Sequence, residues 1–179
     1  MIMSSSLVIL KINTDMDLNA KLQNVEYEDN DAFYSLSFDS LEKNSGELHW
    51  TNFFKYGKMN MVSFLREDDY FYLFTSSTDN KKILSKVLKY LLQEDISLTV
   101  FKTPLNAKLG EINDYSNLEG IEINKHFGIT ALFNYDGYRS TIKVYTNGLI
   151  TYRMTNNIEV IKKIIFDSKQ LIEECEANV

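Results

Sequence analysis

The stretch that decides the fold reads Ile-Thr-Ala-Leu-Phe-Asn-Tyr (129–135), Ser-Thr-Ile-Lys-Val-Tyr (140–145) and Leu-Ile-Thr-Tyr-Arg-Met (149–154), followed by a run from Asn156 to Cys175. The three short segments alternate in polarity, which is typical of half-buried strands. The run after them places apolar residues at helical spacing. The stretch therefore predicts antiparallel strands followed by an amphipathic helix.

The same order of elements occurs earlier in the chain. Phe53-Phe54-Lys55-Tyr56-Gly57 parallels the segment 132–137, and Lys81-Lys82-Ile83-Leu84 parallels Lys162-Lys163-Ile164-Ile165. The pentapeptide Leu-Asn-Ala-Lys-Leu also occurs twice, at 18–22 and at 105–109, each time after a strand-like segment that begins with Ser-Leu.

Self-similarity in one order, with a period near ninety residues, indicates two copies of one folding unit. We expect a first repeat over residues 1–95 and a second over 96–179, within one continuous pseudo-twofold domain.

The pattern predicts the following elements. In the first repeat, strands are expected at 7–13, 32–38, 47–56, 59–66 and 69–75, a short helix capped by Asp15 or Asp17, a solvated acidic loop at 26–31, and a helix capped by Ser77 or Thr78 that runs to about Gln93. In the second repeat they are a strand at 97–103, a short helix begun by Pro104, strands at 120–124 and within 128–154, and the terminal helix. His49-Trp50 and His126-Phe127 are expected at equivalent places.

The composition indicates a folded protein without a global basic field. The 179 residues are 44% hydrophobic, and 19 basic against 25 acidic side chains give a net charge of −6. The first 95 residues carry 10 basic and 15 acidic side chains, and the remainder carry 9 and 10. Any surface that binds a polyanion must therefore be local.

No metal, cofactor or membrane partner is expected, and an enzyme is the least supported class. The chain has a single cysteine, Cys175, and its two histidines, His49 and His126, lack metal-ligand spacing. Apolar stretches are shorter than the ~20 residues that cross a bilayer. No nucleophile elbow, phosphate-binding glycine loop or His-Glu zinc motif is present. These features predict a soluble protein of a reducing, intracellular compartment.

The repeat resembles the core of the TATA-box-binding protein family, in which a strand, a short helix, four antiparallel strands and a long helix occur twice. The segment 141–150 resembles that family's hydrophobic strand, turn and following strand, and His126-Phe127-Gly128-Ile129 resembles the segment that opens its third strand. The resemblance implies an α+β saddle, in which two pseudo-symmetric repeats form one curved antiparallel sheet with two long helices on its convex side. Compact, divergent members occur in large DNA viruses, so a nuclear or a viral replication site is implied.

The resemblance also implies a DNA-binding transcription initiation factor that bends duplex DNA at an A·T-rich minor groove. In that mode apolar side chains wedge between base steps. Carried onto matching positions, the wedges are Phe127 with Tyr145 and Trp50 with Phe64. Other transcription proteins are the implied partners, and a homodimer through the sheet is implied when DNA is absent.

Strand alternation independently predicts a polar sheet face, because Thr141, Lys143 and Tyr145 point opposite to Ile142 and Val144. Thr151 and Arg153 likewise point opposite to Ile150 and Tyr152. Lys55 and Arg66 are the expected counterparts in the first repeat. The chain departs from the family pattern where Arg153 replaces a threonine, where the first strands lack asparagine, and where basic flanks are missing.

Three alternatives stay open. Trp50 and Phe64 are core residues in an ordinary sheet protein, because aromatic side chains usually bury ~150–250 Å². The same fold can also serve as a protein-interaction adaptor or inhibitor that binds no DNA, which the negative net charge favours. A catalytic or ligand-binding role for the sheet is a third, remote alternative.

Overall fold

The computed structural model describes residues 1–104 and 115–177 of the chain. These residues form eleven strands and three helices. The elements are β1 (Ser4–Asn13), α1 (Leu18–Lys21), β2 (Val25–Asp29), β3 (Ala32–Phe38), β4 (Ser45–Thr51), β5 (Asn60–Glu67), β6 (Tyr70–Leu73), α2 (Asn80–Leu92), β7 (Ser97–Val100), β8 (Leu118–Asn124), β9 (Gly128–Tyr135), β10 (Tyr138–Tyr145), β11 (Leu149–Thr155) and α3 (Ile158–Ala177).

The fold is α+β, and its strands form one large sheet. Their hydrogen-bonded order is β2-β3-β4-β5-β6-β1-β11-β10-β9-β8, with β7 paired to β1. Antiparallel pairing joins β2 through β6 in sequence, β8 through β11 in sequence, and β1 to β11. The expected class, α+β with a large antiparallel sheet, is confirmed.

Backbone contacts divide the chain into two compact units. The terminal unit contains Met1–Ile9 and the chain from Val100 onward, and the central unit contains Leu10–Thr99. The long strand β1 contributes residues to both units.

In the terminal unit, α3 packs on β9 and β11. The side chains that alternate toward α3 are buried, whereas their neighbours along each strand are mostly exposed or half-buried. The buried residues are Ile129, Ala131 and Phe133 of β9, Ile142 and Val144 of β10, and Ile150 and Tyr152 of β11. On α3 the predicted amphipathic character is confirmed, because Ile161, Ile164, Ile165 and Ile172, which recur at helical spacing, are all buried.

In the central unit, α2 packs against β3. Leu36 of β3, Leu48 of β4 and Phe64 of β5 share one face by their register and are fully buried. Helix α2 buries Leu84, Val87, Leu88 and Leu92, while Ile83 and Leu91 beside them are half-buried. The helix therefore has one apolar face, whose buried centre consists of Leu84, Val87, Leu88 and Leu92.

The prediction of an acidic loop at 26–31 is wrong, because most of this segment belongs to β2. Val25 pairs with Leu36 and Tyr27 pairs with Tyr34. The Tyr27 ring stacks on Tyr90 of α2 with ring centroids 3.8 Å apart. Alternation places the intervening acidic side chains in solvent, as suits an edge strand. Its acidic composition concealed a strand that is apolar at alternate positions.

Two further boundaries differ from the prediction. Strand β4 ends at Thr51 rather than 56, since the Phe53 carbonyl accepts hydrogen bonds from the N–H groups of Tyr56 and Gly57 and closes a turn. Helix α2 begins after Asp79, which makes no side-chain cap bond, and not after Ser77 or Thr78. The remaining predicted strands of both repeats are present, with ends shifted by a few residues.

The second copy of Leu-Asn-Ala-Lys-Leu (105–109) and the helix expected after Pro104 lie outside the described residues. The first copy forms α1 and its C-cap residue, Leu22. There Asp17 accepts a hydrogen bond from the Asn19 N–H group at 3.1 Å, which confirms the predicted cap.

Candidate nucleic-acid interface

The face of the terminal unit's sheet opposite α3 carries a polar surface, which we call the open face. Its residues follow from strand alternation and register. They are Ser6, Glu119, Glu122, Thr130, Leu132, Asn134, Arg139, Thr141, Lys143, Tyr145, Thr151 and Arg153.

One row of the open face crosses five strands. Glu122 pairs with Thr130, Thr130 with Lys143, Lys143 with Thr151, and Thr151 with Ser6. Side chains directly opposite one another on neighbouring strands lie ~4.5–5.5 Å apart at Cβ. The exposed Lys143 ammonium is therefore flanked by two threonine hydroxyls. Cations and hydroxyls in this arrangement are the groups that contact phosphate oxygens.

Next to this row lies a second one, which combines an acidic, an apolar and a hydroxyl side chain. Glu119 pairs with Leu132, and Leu132 pairs with Thr141. Leu132 is 56% exposed. Both glutamates belong to β8, the edge strand, so negative charge is concentrated at that edge and positive charge on β10 and β11.

Arg139 and Arg153 supply the other cations of the open face. Arg139 is exposed and pairs with Asn134. The Arg153 guanidinium carbon lies 4.8 Å from the ring centroid of Tyr138, and the Tyr138 hydroxyl donates to the Arg153 carbonyl. Because Tyr138 alternates with the buried Ile142 and Val144, Arg153 lies at the border of the open face. The ring orients Arg153, and its guanidinium remains exposed.

Phe127 and Tyr145 form a half-buried aromatic pair at the end of β10. Their ring centroids are 6.2 Å apart and their planes are inclined by 55°. Gly128 makes this approach feasible, because it has φ 131° and a Cβ there would lie 1.9 Å from the Val144 carbonyl oxygen. The Thr146 N–H group also donates to the Phe127 carbonyl at 2.9 Å. The predicted partners of the second repeat are therefore brought together.

The first-repeat pair is not placed as expected. Phe64 is 0% exposed and contacts Phe38 and Phe71 within the core. Trp50 pairs with Tyr34, whose hydroxyl accepts a hydrogen bond from Lys86 of α2, so Trp50 lies on the α2 side of its sheet. The expectation of exposure on a free face is wrong for Phe64, which is core. Trp50 is half-buried, and register places it on the sheet face that packs against α2.

His49-Trp50 and His126-Phe127 are also not equivalent. The first dipeptide lies inside β4, near its end, whereas the second lies in the turn before β9. The similarity is one of composition without a shared position in the strand order.

The cations expected in the first repeat also lie elsewhere. Lys55 is exposed in the β4–β5 connection and belongs to no strand. Arg66 is buried, and its guanidinium donates to the carbonyls of Lys43 and Asp68 and to the Asn19 side chain. Burial lowers the pKa of Arg66. Arg66 fixes α1 and two loops to β5, a role that no pattern in the sequence indicated.

Sequence reasoning identified Thr141 as a member of the open face but missed Arg139 and Thr130. Their alternation with Ile129, Ala131 and Ile142 was available as a signal.

Comparison of the chain with protein-family models, with curated proteins and with solved structures finds no match in any of the three. In the described part of the chain, no three side chains of His, Cys, Asp or Glu are arranged to hold a metal ion. No helix among the described residues has the length and apolar character needed to span a bilayer.

Proposed function

We propose that the protein is a DNA-binding transcription initiation factor of the TATA-box-binding type, and that the open face of the terminal unit contacts duplex DNA. The observation that carries this proposal is the row of Lys143, Thr130 and Thr151 beside the Phe127–Tyr145 pair. It combines phosphate-binding groups with an aromatic edge, which are the two components that minor-groove recognition with wedging requires.

The corrected geometry restricts the proposed mechanism to a single wedge. Phe127 is the better candidate, because Tyr145 carries a hydroxyl that must remain hydrated or bonded. Unstacking one base step costs a few kcal/mol, which is recovered when an apolar side chain fills the gap and the bent groove meets more protein. We therefore expect one kink in an A·T-rich site, in place of the family's two.

The test is bending and binding of a short duplex labelled at both ends. Bending brings the two end labels closer and raises the fluorescence energy transfer between them. Phe127→Ala is expected to reduce this energy transfer and to weaken binding about tenfold. Phe166→Ala is the matched control, because Phe166 is 56% exposed on α3. Thermal unfolding should be nearly unchanged for Phe166→Ala and only modestly lowered for Phe127→Ala, whose ring is half-buried against Tyr145. If the wild-type protein neither binds nor bends the duplex, the proposal is wrong.

A second candidate function is protein interaction through the same face, including self-association. Leu132 is 56% exposed between Thr141 and Glu119. An apolar side chain with polar neighbours around it is usual at protein interfaces. Sedimentation velocity of the wild type and of Leu132→Glu distinguishes the candidates. A wild-type dimer that the substitution dissociates, together with no DNA binding, favours this function.

A further inference from the structure

The connection between β4 and β5, together with the first two residues of β5, is unusual in the composition of its exposed surface. All ten residues from 52 to 61, which we call the 52–61 tip, are exposed. Five are large apolar or aromatic residues, two are lysines, and none is acidic. The five are Phe53 (63% exposed), Phe54 (52%), Tyr56 (93%), Met59 (44%) and Met61 (56%).

This composition contrasts with that of the surrounding unit. Residues 10–99 carry 10 basic and 15 acidic side chains, yet Lys55 and Lys58 of the tip are accompanied by no acid within 52–61. Asp31 lies beside the tip, where its carbonyl accepts a hydrogen bond from the Phe54 N–H group at 2.7 Å. The tip is therefore a local basic and apolar projection on an acidic unit.

The backbone of the tip satisfies much of its own hydrogen bonding. Tyr56 and Gly57 donate to the Phe53 carbonyl at 3.2 and 2.5 Å, and Phe53 donates to the Thr51 hydroxyl at 3.3 Å. A Cβ on Gly57 would lie 2.4 Å from that carbonyl oxygen, so the turn depends on glycine. A loop with paired N–H groups enters a medium of low water content at a smaller cost than an open loop does.

We propose that the 52–61 tip docks on an anionic lipid surface, with its aromatic and methionine side chains at the level of the headgroups and with Lys55 and Lys58 contacting lipid phosphates. Phenylalanine and tyrosine partition into this region, and lysine extends its charge to the headgroups. Ten consecutive exposed residues that combine apolar side chains with lysines match the two contributions to binding at an anionic membrane interface, buried apolar area and electrostatic attraction. Nucleic acid is the less favoured partner, because two lysines outline no groove that follows a phosphate backbone.

Co-sedimentation of the full chain with vesicles tests the proposal. Vesicles of phosphatidylcholine alone are compared with vesicles that also contain phosphatidylserine. We expect binding to the anionic vesicles that weakens as salt rises, because surface electrostatics are screened. The double variant Phe53→Ser with Tyr56→Ser is expected to weaken binding at least tenfold, and Lys55→Glu with Lys58→Glu is expected to abolish the preference for phosphatidylserine.

Matched controls keep the interpretation specific. Leu41→Ser with Phe166→Ser removes two exposed apolar side chains elsewhere, and Lys21→Glu with Lys82→Glu makes the same charge change elsewhere. Both controls should bind as the wild type does. The proposal is overturned if the wild type binds neither vesicle type, or if the tip variants and the control variants bind alike. Thermal unfolding of each variant shows that the fold is retained.

Discussion

Asp167 shows at the scale of one residue how burial sets a dependence on pH. Its side chain lies on α3, is 3% exposed, and accepts a hydrogen bond from Asn117 at 3.3 Å. Burial raises its pKa, and the Asn117 hydrogen bond and the charge of Lys163 oppose the rise. The folded state therefore holds the proton more tightly than the unfolded chain, where the pKa is ~3.9. Ionisation costs folding free energy as pH rises from that value through the folded pKa.

We expect Asp167→Asn to raise the melting temperature at pH 7.5 and to change it little at pH 3.5. The amide oxygen still accepts from Asn117, while the buried charge is removed. Glu173→Gln on the exposed side of α3 is the control and should show no such pH-dependent gain. If Asp167→Asn destabilises the protein equally at both pH values, the carboxylate has a structural partner that outweighs its burial.

Phe64 provides the residue-scale test of the corrected site. It is fully buried beside Phe38 and Phe71. Phe64→Ala is expected to cost about 3–5 kcal/mol of unfolding free energy, because it removes transfer energy and leaves a cavity. Urea denaturation measures this loss. A variant that keeps wild-type stability would place Phe64 outside the core.

At the scale of elements, α2 is attached to the edge of its sheet by a polar and aromatic cluster. Lys86 donates to Asp29 at 2.7 Å and to the Tyr34 hydroxyl at 3.2 Å, and these bonds raise its pKa to about 12. Burial raises the pKa of Tyr27, which stacks on Tyr90, to about 12. Both groups therefore keep their protons at neutral pH.

Replacing Lys86 by Met should cost roughly 0.5–1 kcal/mol of unfolding free energy, since the pair with Asp29 is partly solvated and screened. Lys82→Met is the control, because its pair with Asp79 is 78% exposed on both sides. Chemical denaturation in low salt compares the two variants. Equal losses would show that the cluster contributes no more than an ordinary surface pair.

The start of β9 depends on a second element-scale feature, the close approach of Gly128 to β10. Gly128→Ala should destabilise the terminal unit by more than about 1 kcal/mol and weaken ligand binding at the Phe127–Tyr145 pair, because the new Cβ meets the Val144 carbonyl. Gly137→Ala is the matched control, since Gly137 also has positive φ, at 76°, but open space around it. Identical losses would attribute the effect to φ alone.

For the whole molecule, sequence patterns predicted the order of the helices and strands better than they predicted which side chains each element buries or exposes. Alternation and helical spacing predicted α2, α3 and β9 through β11 closely, because these signals are local. They missed β2, whose acidic alternate residues concealed its apolar ones. They also misplaced Phe64 and Arg66, because the face a residue occupies depends on the register between strands, and a shift of one residue reverses it.

The candidate site was predicted in part for the same reason. Lys143 and Thr151 follow directly from alternation, whereas the approach of Phe127 to Tyr145 depends on the Gly128 backbone. The sequence expectation that no membrane is involved was based on the lack of long apolar runs. That criterion addresses crossing a bilayer, and the exposed 52–61 tip concerns contact with its surface.

The net charge of −6 leads to the last prediction, which concerns the salt dependence of DNA binding. Three cations of the open face, Lys143, Arg139 and Arg153, are available to phosphates. The two glutamates of β8 repel the phosphates at one edge of this face. Each neutralised phosphate contributes ~0.9 to the slope of log K against log salt, so we expect a slope of about −3. Lys143→Ala should reduce its magnitude by about one, while Lys55→Ala, in the tip and off the open face, should leave it unchanged. Titration by fluorescence anisotropy over a range of potassium chloride measures these slopes, and a value near −9 in the wild type would require a basic surface that the open face does not contain.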